Sequence, residues 1–274
     1  MSRRILPLLA SCLLALPALP QSLYVVDDDG GPGIDFTDLP PAVAGTASGD
    51  VLLVRAGTYS PFAIDGTSLS VTAEEGAVVR VAGPASIANT AAPDRVVLHG
   101  LLFEGSAPQP AIRNNLGWIG IEDCDFEAGT VSAADGAEAL RIETSTVALS
   151  RCTIDGGQLT ADHGIDFGAG LRVANATVHL HSSIVRGAAG AEGVRGGTGV
   201  ELDGGVLLLG GCDVRGGAGG NGPAGAACAD GAPGGDALVL VGAAPLAYPP
   251  ATAFIAGAGG PPAAPPGTAG ADGA

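Results

Sequence analysis

The chain has 274 residues, with 28 acids against 12 basic residues that are all arginine, and a formal net charge of −16. So acidic a surface repels phosphate backbones, anionic lipids and polyuronates, which excludes nucleic acid as a partner. With 46 glycines and 20 prolines the composition approaches that of disordered chains, yet the aliphatic residues are plentiful and periodic, so the glycine is assigned to turns and loops.

In chain order, Met1 to Arg4 is a short basic start and Ile5 to Leu19 an apolar run broken by prolines. This is the pattern of a secretory signal peptide over residues 1–21, too short and too proline-broken to anchor in a membrane. Leu9-Ala10-Ser11-Cys12 looks like a lipoprotein cleavage box, but the apolar run continues past Cys12 through Leu16, which argues against lipidation. Export places the mature chain outside the cell or in its envelope. Removing Arg3 and Arg4 leaves 10 arginines against 28 acids, a charge of −18. One domain is expected over residues 22–256, followed by a Gly/Pro/Ala-rich tail, 257–274.

Leu23 to Val26 reads as a strand and Asp27 to Gly33 as a turn. Residues 36–47 read as a short helix with Thr37 as N-cap, Pro40 and Pro41 in the first turn, and Leu39 and Val43 on one face. Such a helix would cover the open end of a solenoid. Gly49 to Tyr59 is a strand closed by a turn, and Ser68 to Ala73, Val78 to Ala82 and Val96 to Gly105 supply further strands.

From there a fixed block repeats. Leu140 to Ile154 returns at Ile112 to Phe126, Leu171 to Val185 and Val200 to Val214, with apolar residues at the first position and seven, nine, twelve and fourteen places on. The columns are Ile112, Leu140, Leu171, Val200; Ile119, Val147, Val178, Leu207; Ile121, Leu149, Leu180, Leu209; Cys124, Cys152, Ser183, Cys212; and Phe126, Ile154, Val185, Val214. Connectors run from 9 positions (Phe103 to Ile112) to 24 (Val214 to Leu238). Fixed units with variable connectors predict stacked coils whose variable corner is open to solvent. One block buries aliphatic area worth ~8–15 kcal/mol while ordering it costs ~15–30 kcal/mol, so no coil stands alone. The fold class is all-β: a right-handed parallel β-helix solenoid of about seven or eight coils with a short N-terminal capping helix. The uneven coil lengths disfavour a left-handed hexapeptide helix, and the absence of regular hairpin turns disfavours a sandwich. The aligned cysteines read as a buried thiol ladder rather than a disulfide, since Cys212 lies two coils from Cys152.

The run from Asp35 through the helix to Gly49-Asp50-Val51-Leu52-Leu53-Val54-Arg55-Ala56-Gly57-Thr58-Tyr59 resembles the opening of secreted β-helix proteins of the pectin-lyase-like superfamily, where a capping helix precedes G-D-x-I-x-V and a G-T-Y turn. The motif is specific for the architecture and carries no catalytic residue. Polysaccharide lyases of this fold set an arginine base beside calcium-holding carboxylates on neighbouring coils. The resemblance points to Arg141 or Arg172 with Glu143, Glu201 or Asp203. Here the outward columns read Arg113, Arg141, Arg172, Glu201 and Asn115, Glu143, Ala174, Asp203, and the plainer reading is a solvated face of mutually offsetting charges. A second outward column, Glu104, Glu127, Asp155, Arg186, Arg215, offers one favourable stacked pair.

Other chemistry is sparse. Asp162 and His163, with Asp166, share one glycine-rich connector and have the types for proton transfer or cation binding, although a loop histidine among glycines is more often merely hydrated. His179 and His181 point outward without an evident third ligand. Asp27, Asp28 and Asp29 are the best guess for a calcium ion; no other cofactor is implied. Trp118 is a sugar-stacking platform or a rim-packing residue. The expected function is a non-catalytic secreted or cell-envelope solenoid presenting glycine-rich loops or flat faces to an extracellular glycan or surface protein. The competing readings are a polysaccharide lyase or glycoside hydrolase, and a repeat protein that assembles end to end. The last follows from the tail, which resembles the connector Gly216 to Gly235 and reads as an unfinished copy.

Overall fold

The computed structural model describes residues 21–105, 110–131, 138–160, 168–222, 230–241, 246–247 and 251–261. The expected signal peptide with Cys12, the Asp162/His163 connector, Cys228 and most of the tail lie outside the described residues.

All strand pairing is parallel and joins successive coils, forming sheets of twelve, eight and three strands. The long sheet runs from Leu23–Val26 through Val51–Val54, Leu69–Ala73, Arg95–His99, Ala111–Glu122, Leu140–Ser150, Leu171–His181 and Val200–Gly210 to Leu238–Val241. The eight-stranded sheet stacks the short strands from Gly57–Tyr59 to Ala253–Ile255. This is the parallel β-helix that the repeat demands. Alternation puts one side chain in two on the inside of each coil, and the inner columns pile up as read. Ile119 pairs with Val147, Val147 with Val178, and Val178 with Leu207. Phe126, Ile154, Val185 and Val214 follow each other in the second sheet. Phe103 and Phe126 lie face to face, ring centroids 4.9 Å apart. Cys124, Cys152 and Cys212 are free and buried, and the Cys152 amide donates to the hydroxyl of buried Ser183 at 3.1 Å.

The capping helix spans Leu39–Gly45 and buries Leu39 and Ala42. Its N-cap is Asp38, whose carboxylate accepts from the Leu39 amide at 2.8 Å, not Thr37. The same Asp38 oxygen accepts from Ser60 N, so the cap also ties the helix to the coil beneath it.

One column slips. Ile112 pairs with Ile142, not Leu140, and Asn115 with Ser145, because the register shifts between Asn115 and Trp118. The two residues that make the shift, Leu116 and Gly117, bulge from the strand. Arg113 therefore stacks on Glu143 rather than Arg141, and Asn115 turns inward. It is buried, accepts from Thr90 N and Oγ1, and donates to Ile87 O and Ser145 Oγ, all within 3.1 Å.

Two corners are built from left-handed residues one above another. Asn89, Asn114, Thr144, Asn175 and Gly204 form one such column, with φ between 45° and 71°. Gly100, Asp123, Arg151, Ser182 and Gly211 form the other, with φ between 48° and 72°. Asparagine and glycine accept this conformation readily; β-branched Thr144 does not.

The glycine-rich connectors are not loose loops. Gly187, Gly190 and Gly193 donate to the carbonyls of Arg215, Ala218 and Asn221, and Gly216, Gly219 and Gly222 to those of Ile255, Ala258 and Pro261. Every third residue bonds the same neighbour, which is the three-residue turn of polyproline II geometry. The stretch Gly216–Gly222 also donates to Gly197 and Val194 and accepts from Gly235 and Ala232. A β-strand has two lateral neighbours; this segment has four, so the connectors form a bundle of three-fold helices beside the β-helix. The bundle exists because backbone meets backbone. A Cβ on Gly217 would stand 1.8 Å from Ala188 O, and one on Gly260 1.8 Å from Gly220 O.

Candidate functional site

The outward face of the long sheet's first half brings together four of the five residues singled out there. Arg141 Nε donates to Glu143 Oε1 at 2.7 Å, and its NH1 lies 3.9 Å from Glu138 Oε1. Arg172 reaches Glu138 Oε1 at 3.4 Å and Glu201 Oε1 at 3.5 Å. Glu138 and Glu201 keep only 6% of their side chains exposed and Arg172 28%. The strand register explains the set: Arg141 stacks on Arg172 and Arg172 on Glu201, a like-charge contact that Glu138 relieves by bridging both arginines. Glu138 was missed in the sequence because it precedes the repeating block. Asp203 stays apart, since Ala174 lies between it and Glu143 in the column, about 10 Å by strand spacing.

This arrangement is a closed ion network. Each guanidinium is already engaged by carboxylates, and the two deepest of these, Glu138 and Glu201, are almost wholly buried, while Arg172 Nε is buried without a partner. Removing one partner from such a network leaves a buried charge uncompensated.

Asp27, Asp28 and Asp29 do converge, their nearest oxygens all within 4.8 Å of one another. Two of the three are committed elsewhere. Asp27 Oδ2 pairs with Arg55 NH1 at 3.2 Å, and its Oδ1 accepts from Asp29 N at 3.2 Å. Asp28 Oδ2 accepts from Thr58 N at 2.9 Å, and the Asp28 carboxylate lies where a Cβ on Gly57 would be. A calcium ion takes six to eight oxygens, and these residues fit it poorly: the guanidinium supplies the positive charge and the turn uses the acceptors. Burial, together with the negative charge of the three aspartates, pushes the neighbouring Tyr59 hydroxyl up to about 12, and it donates to Arg55 O at 2.9 Å.

A second charged group at the other corner was not anticipated. Arg151 holds Asp123 as a fork, Nε to Oδ1 at 2.7 Å and NH2 to Oδ2 at 2.8 Å, and also pairs with Glu122. His99 Nε2 lies 3.3 Å from Asp123 Oδ2. The Arg151 hydrogen bonds, reinforced by the charges of Arg151 and His99, hold the Asp123 carboxyl below the usual range. The signal was present: Asp123 and Arg151 immediately precede the cysteine column, and Glu122 and His99 stand one place earlier. In the outward column of the second sheet the change of sign gives the expected pair, Arg186 to Asp155 at 3.5 Å. His179 and His181 are exposed, as alternation requires.

Trp118 is 44% exposed and borders a cleft of about 130 Å³ with Val97, Gly120, Ile121, Glu122, Ala148 and Ser150. Its neighbours on the adjoining strands are Arg95 and Thr146. The outward positions beside it, Val97, Gly120 and Ala148, are small or flat, so the floor is shallow.

In comparison with known proteins, no family model, no curated protein and no solved structure matches the chain.

Proposed function

We propose that this chain is an exported, non-catalytic β-helix of the pectin-lyase-like type that binds an extracellular polysaccharide on the flat outer face of its long sheet. The observation that carries the reading is the locked ion network. Arg141 and Arg172, where the resemblance would place a lyase base, are held by Glu138, Glu143 and Glu201, while Asp203 stands apart. A base must reach the proton it removes, and an anion-cleaving site must attract its polymer. Neither guanidinium is free, and a formal charge of −16 opposes a uronate chain. The half of the face between Val97 and His181 carries hydroxyl and small residues, Thr146, Ala148, Ser150 and Thr177, beside Trp118, His179 and His181, a mixture of hydrogen-bonding groups and one aromatic ring that suits an extended neutral chain.

Purified protein incubated with neutral and acidic polysaccharides, with and without calcium, is expected to retard in neutral-polymer gels and to release no new reducing ends or unsaturated sugars. Calcium-dependent release of unsaturated sugar that disappears in Arg172→Ala would overturn the non-catalytic reading. Retardation by no polymer at all would overturn the binding one.

A further inference from the structure

Within that proposed reading, on which this inference rests, we infer that Trp118 and the cleft beside it form a subsite for one neutral pyranose unit of the polymer. Three features of the residues converge there.

The first is the platform. A Cβ on Gly120 would stand 2.2 Å from Trp118 Cη2 and 2.5 Å from Cζ3, so the indole leans along its own strand and lies over the Gly120 backbone. Glycine is required for this close approach. The far edge of the ring is therefore supported by the Gly120 backbone, and 44% of the residue stays exposed. An aromatic ring held in place against backbone and open to water matches the apolar C–H face of a pyranose, which needs a planar partner of this size.

The second is hydrogen-bonding capacity at the edge. Glu122 lies on the same face of the strand, four residues on, and belongs to the cleft lining with Ser150. Arg151 anchors Glu122, and is itself fixed by its fork to Asp123. A carboxylate that accepts, a hydroxyl that does both and a guanidinium that donates cover what sugar hydroxyls need. Because Glu122 and Arg151 are already braced by each other and by Asp123, binding orders few groups, which lowers its entropic cost.

The third is charge. Arg95 beside Trp118 and Arg151 at the edge only balance Glu122 and Asp123, so the subsite carries no net positive charge, and the whole chain is acidic. A uronate or sulfated unit is disfavoured; a neutral hexose is not. The cleft of about 130 Å³ is too shallow to enclose a ligand, so the subsite grips one ring of a longer chain lying on the face.

Trp118 is the chain's single tryptophan beside three tyrosines, so tryptophan emission, excited at a wavelength that tyrosine does not absorb, reads this subsite alone. Titration of the full chain with xyloglucan, a neutral polymer, is expected to quench and blue-shift the emission in a saturable way; polygalacturonate is expected to leave it unchanged. In affinity gels Trp118→Ala is expected to bind xyloglucan about tenfold more weakly, with Trp118→Phe recovering part of the loss and Gly120→Val, which displaces the ring, matching the alanine variant. The thermal midpoint of Trp118→Ala is expected to stay near that of the parent, since the ring is largely outside the core. Retardation by xyloglucan without a fluorescence change, and equal in Trp118→Ala, would overturn the subsite while leaving polysaccharide binding in place. A stronger response to polygalacturonate would overturn the assignment of a neutral sugar, and no retardation by any neutral polymer would overturn both readings.

Discussion

Gly217→Ala tests whether the connectors are a packed bundle. The new methyl would begin 1.8 Å from Ala188 O, 2.5 Å from its carbonyl carbon and 2.8 Å from Gly187 O, all of them backbone atoms. Side chains cannot swing aside here, so the segment itself must retreat by about 1.2 Å to reach even a tight contact. Gly217 N to Gly197 O and Gly235 N to Gly217 O are both 2.8 Å, and such a retreat stretches bonds of that length toward ~4 Å, past the hydrogen-bonding range. Two buried backbone pairs left unmade cost about 2–5 kcal/mol. The smaller unfolded-state entropy of alanine returns about 0.4–1 kcal/mol, for a net loss of ~2–4 kcal/mol. Gly193→Ala is the control: nothing lies within 4 Å of its Cβ position, and only its φ of +73° is unfavourable, worth ~1–2 kcal/mol. Urea unfolding, with amide exchange to localise the effect, measures both. A Gly217→Ala protein that unfolds within about 0.5 kcal/mol of the parent, or 216–222 amides that exchange as fast as in an unstructured peptide, would refute the packed bundle.

Other perturbations probe the β-helix itself. Arg172→Ala strips Glu138 and Glu201 of their shared cation and is expected to lose ~2–4 kcal/mol in urea unfolding, most of which should return when both glutamates are also changed to glutamine. Thr144→Gly relieves a β-branched residue at φ 45° and is expected to raise stability by ~0.5–1 kcal/mol. Asp123 titrates below its ordinary value when folded, so the folded state binds fewer protons. Its contribution is full above the ordinary carboxylate range and fades as pH falls through the lowered value, and the acid limb of a pH–stability profile should flatten in Asp123→Asn. Burial pushes the Cys152 thiol up to about 11 and raises Cys124 still further. In a Cys228→Ser background Ellman's reagent at neutral pH should therefore label Cys124 and Cys152 only after unfolding.

The stacking was legible because inward positions must be apolar and must recur at a fixed spacing, so the columns through Ile119, Ile121, Cys124 and Phe126 followed from that spacing alone. The outer face was less so. Solvated positions tolerate any residue, and nothing in the pattern marked the two-residue bulge at Leu116-Gly117 that moves Arg113 onto Glu143 and turns Asn115 inward. Glu138 escaped because a connector residue has no column to betray it. The bundle was written in the sequence as glycine at 187, 190, 193, 196 and 199. Hydropathy periods could not register it, because the signal is the absence of a side chain. Trp118 was placed outward by its neighbour Ile119, but the support beneath its ring depends on Gly120 being glycine, a contact that only coordinates reveal.

The three-residue turn of the bundle imposes an arithmetic on its length. Adding one residue between Gly216 and Gly222 would rotate every later position by a third of a turn, carrying an alanine or asparagine into a slot that has room only for hydrogen. Adding a Gly-Gly-Xaa triplet, glycine in both of the closed columns, would restore the phase and extend the ridge by about 9 Å. Growth within this segment is thus restricted to whole turns, much as a reading frame is restricted to whole codons.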